Sequence, residues 1–282
     1  MTYLIADSGS TKTSWVLTDG TTRQEFETLG INPVRDSEED IKHLLQTSLL
    51  NSSSPSWEKV NAIFFYGAGC IPPYSDSVRR VLQECFPEAK VHVESDLLGA
   101  AHALFGSKEG IACILGTGSN SCLYDGRQIL ENVSPLGWIL GDEGSGAVLG
   151  RRLVGDVLKG QLSPALCQAF AEETGLTRAD IINKVYREPM PNRFLASLVP
   201  FLGRHREHEE IQQFLIGEFR RFLSRNVAQY RRPDLPVSFV GGIASAFSEE
   251  LAEALRLEGM TLGHILKRPI DNMVNYLITL KR

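Results

Sequence analysis

Ile111-Ala112-Cys113-Ile114-Leu115-Gly116-Thr117-Gly118-Ser119-Asn120 reads as an apolar strand running into a glycine-rich turn, and Asn120–Tyr124 resumes an extended pattern. The same order of signals stands about a hundred residues earlier. There, residues 2–7 form a short strand, the polar turn is Asp7-Ser8-Gly9-Ser10-Thr11-Lys12-Thr13, and Ser14–Leu17 extends again. A further short strand follows each hairpin, near Thr22–Leu29 and near Gln128–Leu130. Two strand–glycine turn–strand hairpins at this spacing predict a duplicated architecture, although no repeat of residues accompanies it.

Outward from the hairpins the chain alternates. Ser37-Glu38-Glu39-Asp40 is a capping box opening a helix through about Leu50, and Asn51-Ser52-Ser53-Ser54-Pro55 breaks it. Strands are expected at Ala62–Tyr66 and Lys90–Val93, with a helix around Ser75–Cys85 between them and another over Leu97–Phe105. From Glu143 to about Tyr230 the pattern is mostly helical, including a helix capped by Thr177 and a long one near Glu207–Tyr230. Strand Val237–Val240, a helix near Ala246–Glu258 and a closing helix near Asp271–Leu280 complete the reading.

With 282 residues, 43% of them hydrophobic and 22% charged, the chain has the composition of a globular protein with room for two cores. Its formal charge of -5 argues against a surface that coats nucleic acid. No apolar run approaches the ~20 residues that span a bilayer, and Asp7 interrupts the first apolar run without a basic segment before it, so neither a membrane nor a signal peptide is expected. The five cysteines (Cys70, Cys85, Cys113, Cys122, Cys167) form no C-x-x-C pair, which fits a reducing cytoplasm.

Five stretches carry candidate chemistry. In Asp7-x-Gly9-x-Thr11, glycine lets backbone amides approach an anion, Ser10, Thr11 and Lys12 offer further donors, and Asp7 can hold Mg²⁺ through water. The plain alternative is a solvated hairpin turn, and the spacing is not that of a Walker A loop. Gly116-Thr117-Gly118-Ser119-Asn120 has the same competence and the same alternative. Glu94-Ser95-Asp96 ends a strand, where residues two apart share a face, so both carboxylates are expected in one crevice; Asp96 as a cap for the following helix is the plainer reading. A positioned carboxylate is what an acceptor hydroxyl needs for its proton. Gly137-Trp138-Ile139-Leu140-Gly141-Asp142-Glu143-Gly144-Ser145-Gly146 surrounds two acids with glycine, where Asp142 as a helix N-cap is the alternative. It fails as a dinucleotide fingerprint because position 149 is Leu. Gly241-Gly242 after strand Val237–Val240 lets a nucleotide lie against the backbone, or simply makes a tight turn.

In order, Asp7–Thr11, Gly116–Asn120, Gly141–Ser145 and Gly241-Gly242 resemble the phosphate-1, phosphate-2, acceptor and adenosine motifs of the BadF/BadG/BcrA/BcrD ATPase family, whose kinase members include the N-acetylglucosamine kinases. The resemblance spans essentially the whole chain. It implies two ribonuclease-H-like, actin-like ATPase domains with ATP·Mg²⁺ in the cleft between them. The expected division is residues 1–106 with the closing helix of 267–282 packed back, then 107–266 with a helical insertion over about 143–230. By motif, Asp96 would be the base; Asp7, Gly9, Ser10, Thr11, Lys12, Gly116, Thr117 and Gly118 would face phosphates and metal; Gly241, Gly242 and Ser245 would line the adenosine side. Asn32, Ser119, Asn120, Gly137, Trp138 and Asp142 would meet the sugar. Where N-acetylglucosamine kinases carry Gly-Gly-Trp-Gly, this chain reads Leu136-Gly137-Trp138-Ile139, so the acceptor is left open.

The implied function is an ATP-dependent small-molecule kinase acting on a sugar or amino sugar in the cytoplasm, with a homodimer neither required nor excluded. Two other readings stay open. A dehydratase-activating ATPase needs closely placed cysteines for an iron–sulfur cluster, and these are scattered. A non-catalytic sugar-sensing regulator would give a role to Thr177–Arg187, which resembles part of a helix-turn-helix; Arg220, Arg221, Arg225, Arg231 and Arg232 read as the solvated side of a long helix.

Overall fold

The computed structural model describes residues 1–51 and 57–280, so the expected helix breaker at Ser52–Pro55 and the last two residues of the closing segment lie outside it. The chain divides into two compact units. One comprises Met1–Lys108, Asp125–Ile129 and Arg268–Arg282, the other Glu109–Tyr124 and Leu130–Lys267.

The first unit is built on β1 (Thr2–Ser8), β2 (Lys12–Thr18), β3 (Arg23–Leu29), β4 (Val60–Gly67) and β5 (Lys90–Ser95) in the order β3-β2-β1-β4-β5. β1, β2 and β3 form an antiparallel meander, while β4 and β5 join β1 in parallel. Helices α1 (Glu38–Leu44), α2 (Ser75–Cys85) and α3 (Asp96–Phe105) connect the strands, and α1 continues as a π-helical stretch to Leu50. Its start follows from the capping box: the Ser37 hydroxyl accepts the Asp40 amide at 3.2 Å, and the Asp40 carboxylate accepts the Ser37 amide at 3.1 Å. Trp15, Phe65, Leu4, Ile63 and Leu82 fill the core.

In the second unit, β6 (Gly110–Leu115), β7 (Ser119–Tyr124), β8 (Ile129–Glu131), β9 (Val237–Val240) and β10 (Leu262–Leu266) take the order β10-β9-β6-β7-β8. β6 and β7 are antiparallel, and β6, β9 and β10 are parallel. Numbered within its own unit, that order is again 3-2-1-4-5, so the duplication suggested by the hairpins extends to five strands. β10 is an addition to the sequence reading: it is a short edge strand whose residues are half-buried or exposed, and it presents no clear period of two.

Among the described residues, ten further α-helices follow: α4 (Gly137–Leu140), α5 (Gly146–Leu158), α6 (Pro164–Thr174), α7 (Arg178–Tyr186), α8 (Pro191–Ser197), α9 (Pro200–Arg204), α10 (Glu209–Arg225), α11 (Gly242–Ala246), α12 (Ser248–Leu257) and α13 (Ile270–Leu280). α4–α12 belong to the second unit, whose core includes Phe170, Phe201, Phe219, Phe222 and Phe239. Each large side chain buried in this way contributes roughly 1.5–3 kcal/mol against exposure. α13 packs on α3 in the first unit, with Asn272 Nδ2 donating to the Ala103 carbonyl at 3.0 Å. Among the described residues no helix is long and apolar enough to cross a membrane.

Candidate active site

In the first unit, parallel pairing sets Asp7, Tyr66 and Glu94 level across β1, β4 and β5, followed by Ser8, Gly67 and Ser95. Adjacent strands stand about 4.8 Å apart, so the ends of β1 and β5 deliver side chains to one sheet edge about 10 Å apart along it. The carboxyl ends of parallel strands are where open α/β sheets hold ligands.

Asp96 reaches that edge differently from the sequence expectation. β5 ends at Ser95, and Asp96 is the first residue of α3, so it does not share a strand face with Glu94, which is exposed. It does not cap the helix either, because the Ser95 hydroxyl accepts the Leu98 amide at 3.2 Å. Asp96 is thereby released from a structural duty. Burial pushes its carboxyl up to about 6, restrained by hydrogen bonds from the Leu97 amide and its own. Asp7 rises further, to about 7, through burial first and then the Asp96 charge, while the Lys12 ammonium pulls it down. Burial of both carboxyls, with the Asp96 charge acting on Asp7, means that a cation brought to this edge would stabilise their ionised forms.

The turn between β1 and β2 is held from below. The Gly9 amide donates to the Lys12 carbonyl at 2.9 Å, and the Gly30 amide donates to the Thr11 carbonyl at 3.0 Å. A Cβ at Gly30 would stand 2.2 Å from the Gly9 oxygen, so only glycine lets the chain leaving β3 pass there. Ser10 is half-buried, Thr11 is exposed, and Lys12 lies 2.7 Å from Glu27 in an exposed ion pair rather than pointing to the turn alone. Asn32 accepts the Val34 amide on its side-chain oxygen at 3.0 Å. That oxygen lies 2.4 Å from where a Cβ at Gly69 would be, so Asn32 rests on the turn after β4. The same turn carries Cys70, whose thiol burial and the Asp96 charge push up to about 12. The turn that Asn32 rests on thus also carries a thiol that feels the Asp96 charge. Gly30, Gly69 and Cys70 escaped the motif reading; Gly67-Ala68-Gly69 at the end of β4 was the available signal.

The second unit assembles its residues around the turn between β6 and β7. The Gly116 amide donates to the Gly118 carbonyl at 2.9 Å. The first two residues of α5 bind the same turn: the Gly146 amide donates to the Gly116 carbonyl at 2.8 Å and the Ala147 amide to the Thr117 carbonyl at 3.0 Å. Gly241 (φ +121°) closes it from the other strand, since a Cβ there would stand 2.3 Å from the Leu115 carbonyl oxygen. Parallel register explains the meeting, because Ile114 of β6 is level with Val240 of β9. Gly242 is exposed and open, and the Ser245 amide donates to the Gly241 carbonyl at 3.1 Å.

Asp142 joins this cluster. Its carboxylate oxygen lies 3.1 Å from the position of a Cβ at Gly118, and it accepts the Ser119 amide. Burial raises its carboxyl to about 6, the Ser119 hydrogen bond opposes this, and the Glu143 charge adds to it. Asp142 is not the helix cap either: it sits at φ +49°, and the buried Ser145 caps α5 by accepting the Val148 amide at 3.2 Å. Ser119 itself is buried, and the Asn120 side-chain oxygen is held by Asn132 Nδ2 at 2.9 Å and the Ser121 amide at 2.9 Å. Gly137 is exposed at the start of α4, whereas Trp138 packs half-buried on the core. Each unit therefore presents a glycine turn with a burial-raised aspartate beside it.

No protein-family model and no curated protein matches the chain. Solved structures do. A candidate N-acetylglucosamine kinase of Porphyromonas gingivalis is 46% identical with a TM-score of 0.96, over 99% of this chain and 100% of that one. A second candidate N-acetylglucosamine kinase, from Chromobacterium violaceum, matches at 20% identity and TM-score 0.74 over 98% of both chains. The glucokinase of the ROK family from Streptomyces griseus, solved with glucose and AMPPNP, shares the fold at 14% identity and TM-score 0.53 over 98% of both chains. With two copies of a 3-2-1-4-5 sheet, a glycine turn at the head of each, and 46% identity to the first of these along its whole length, the chain belongs to the N-acetylglucosamine kinase-like family.

Proposed function

We propose that the chain transfers the γ-phosphoryl group of ATP to a hydroxyl of an amino sugar, N-acetylglucosamine being the first acceptor to test. The observation that carries this reading is the Asp7–Asp96 pair at one sheet edge, with Asp96 free of any capping role and its carboxyl raised to about 6. A base with that affinity accepts a hydroxyl proton near neutral pH without being protonated beforehand. The relative's assignment as an N-acetylglucosamine kinase supports the acceptor class.

In this reaction Asp96 takes the acceptor proton as the hydroxyl oxygen bonds to the γ-phosphorus and the bond to ADP breaks. The backbone amides around Gly9 and Gly116–Gly118, with the Thr11 and Thr117 hydroxyls, hold the phosphate oxygens; Ser10 and Lys12 flank the first turn. Mg²⁺, when bound with ATP, neutralises charge on the phosphates, and Asp7 would hold it through water. Asp142 and Asn32 orient the acceptor, with Trp138, Gly137, Ser119 and Asn120 shaping its surroundings, while Gly241, Gly242 and Ser245 face adenosine. We place the reaction in the cytoplasm, where ATP is supplied and the five free cysteines stay reduced.

A coupled ADP-release screen over amino sugars, neutral hexoses and muramic-acid derivatives tests the proposal. Sugar-dependent ADP release is expected, highest with an N-acetylated amino sugar; no dependence on any sugar would sink it. Asp142→Asn keeps an acceptor for the Ser119 amide and suits the left-handed backbone, but loses the charge that binds sugar hydroxyls. Its acceptor kcat/KM should drop about 10- to 100-fold, the loss of one hydrogen bond to a charged group, with nucleotide affinity little changed. Steady-state titration of sugar and ATP separates the two.

A further inference from the structure

Arg220, Arg221 and Arg225 of α10 are exposed, as expected, but they do not meet the same neighbours. Arg220 pairs with Glu258 at 2.7 Å, and Arg232, beyond the helix, pairs with Asp234 at 2.8 Å. Glu218, Arg221 and Arg225 sit at i, i+3 and i+7 of α10, one stripe of the helix, and that stripe lines a cavity of about 150 Å³. Arg151 and Arg152 of α5 line it as well, and Glu143, next to Asp142, completes its charged wall. The residues concerned all belong to the second unit.

Four arginines face two glutamates, so positive charge is in excess along this wall. Three of the four are already oriented. Arg225 pairs with Glu143, Arg152 lies 3.3 Å from the buried Glu218, and Arg151 donates to the Trp138 and Ile139 carbonyls at 2.7 and 3.1 Å. Asp156 adds negative charge near Glu218. Arg221 makes no ion pair among the described residues, although it is near enough to Glu218 to stabilise its charge. Guanidinium donors that converge from two helices suit a tetrahedral anion better than a planar one, and arginine favours phosphate through its paired, weakly hydrated N–H groups.

We propose that this cavity binds a phosphate dianion, either inorganic phosphate or a phosphate monoester, through Arg221 with Arg152 and Arg225, using side chains different from those of the Gly116–Gly118 turn. Bound there, the anion lies against the Ile139–Glu143 segment that carries Asp142.

Calorimetric titration of the whole chain with inorganic phosphate, and separately with glucosamine 6-phosphate, tests the proposal. One anion per chain is expected to bind, and the probe that saturates at the lower concentration identifies the source. Arg221→Ala, an exposed position without an ion pair, should leave the melting temperature unchanged and weaken binding tenfold or more; Arg221→Lys, which keeps the charge but not the fork, should weaken it less. Sulfate should compete and acetate should not. Phosphate binding that is absent, that survives Arg221→Ala undiminished, or that acetate displaces as well as sulfate does, overturns the assignment.

Discussion

Asp96→Asn is expected to lower kcat by about 10²- to 10⁴-fold, the range that a positioned general base supplies, while MgATP still binds. The amide has the carboxylate's shape and can still accept the Leu97 amide, so α3, whose cap is Ser95, keeps its start. What is lost is the ability to take a proton. A coupled ADP-release assay measures kcat, and nucleotide titration measures binding; turnover within a few-fold of the parent would remove Asp96 from the chemistry. The pH profile gives an independent reading. A base must be ionised, and burial puts this carboxyl at about 6, so the rate should fall tenfold per unit as pH drops below about 6 and level off above it. If Asp7 holds Mg²⁺ as proposed, the metal's charge would keep it ionised, so that limb would belong to Asp96 and vanish from the residual rate of the Asn variant.

Gly241→Ala should be severely damaging for the addition of a single methyl group. Its backbone, at φ +121° and ψ 166°, lies in a region essentially restricted to glycine, at a cost of about 1–3 kcal/mol for other residues. The new Cβ would also stand 2.3 Å from the Leu115 oxygen. Relief requires the β6–β7 turn to move, and its carbonyls are the acceptors for the Gly146 and Ala147 amides. A fall in melting temperature of about 5–10 °C is expected, with nucleotide affinity reduced more than tenfold. Gly242→Ala is the control: its Cβ meets nothing within 4 Å, and stability should hold. Equal melting temperatures for the two variants would refute this account of the turn.

Both predictions concern residues whose surroundings were only partly legible beforehand. The hairpins at Gly9 and Gly116, the capping boxes at Ser37 and Thr177, and the strand before Gly241 are local signals, each confined to a few adjacent residues. β10 was missed for the complementary reason: an edge strand of half-buried residues has weak periodicity, although a duplicated five-strand sheet calls for it. The error over Asp96 came from carrying the period of two past the strand's end. Ser95 stops β5 by capping α3, and its neighbour turns with the helix. That the arginines of α10 are exposed was legible; which neighbours they meet was not, because charge along a helix says nothing about which element it faces.

By itself the sequence determined where the backbone turns, because glycine, a capping hydroxyl or an apolar run acts on its immediate neighbours. Tertiary structure alone decided which of those turns carry a strained or burial-raised group. Asp7 and Asp96 come together because β1 and β5 flank β4 in parallel register, and Gly30 lies beneath Gly9 because β3 returns there. The acidity of a carboxylate depends on the solvent it loses and the charges it gains, and both arrive from residues distant in the chain.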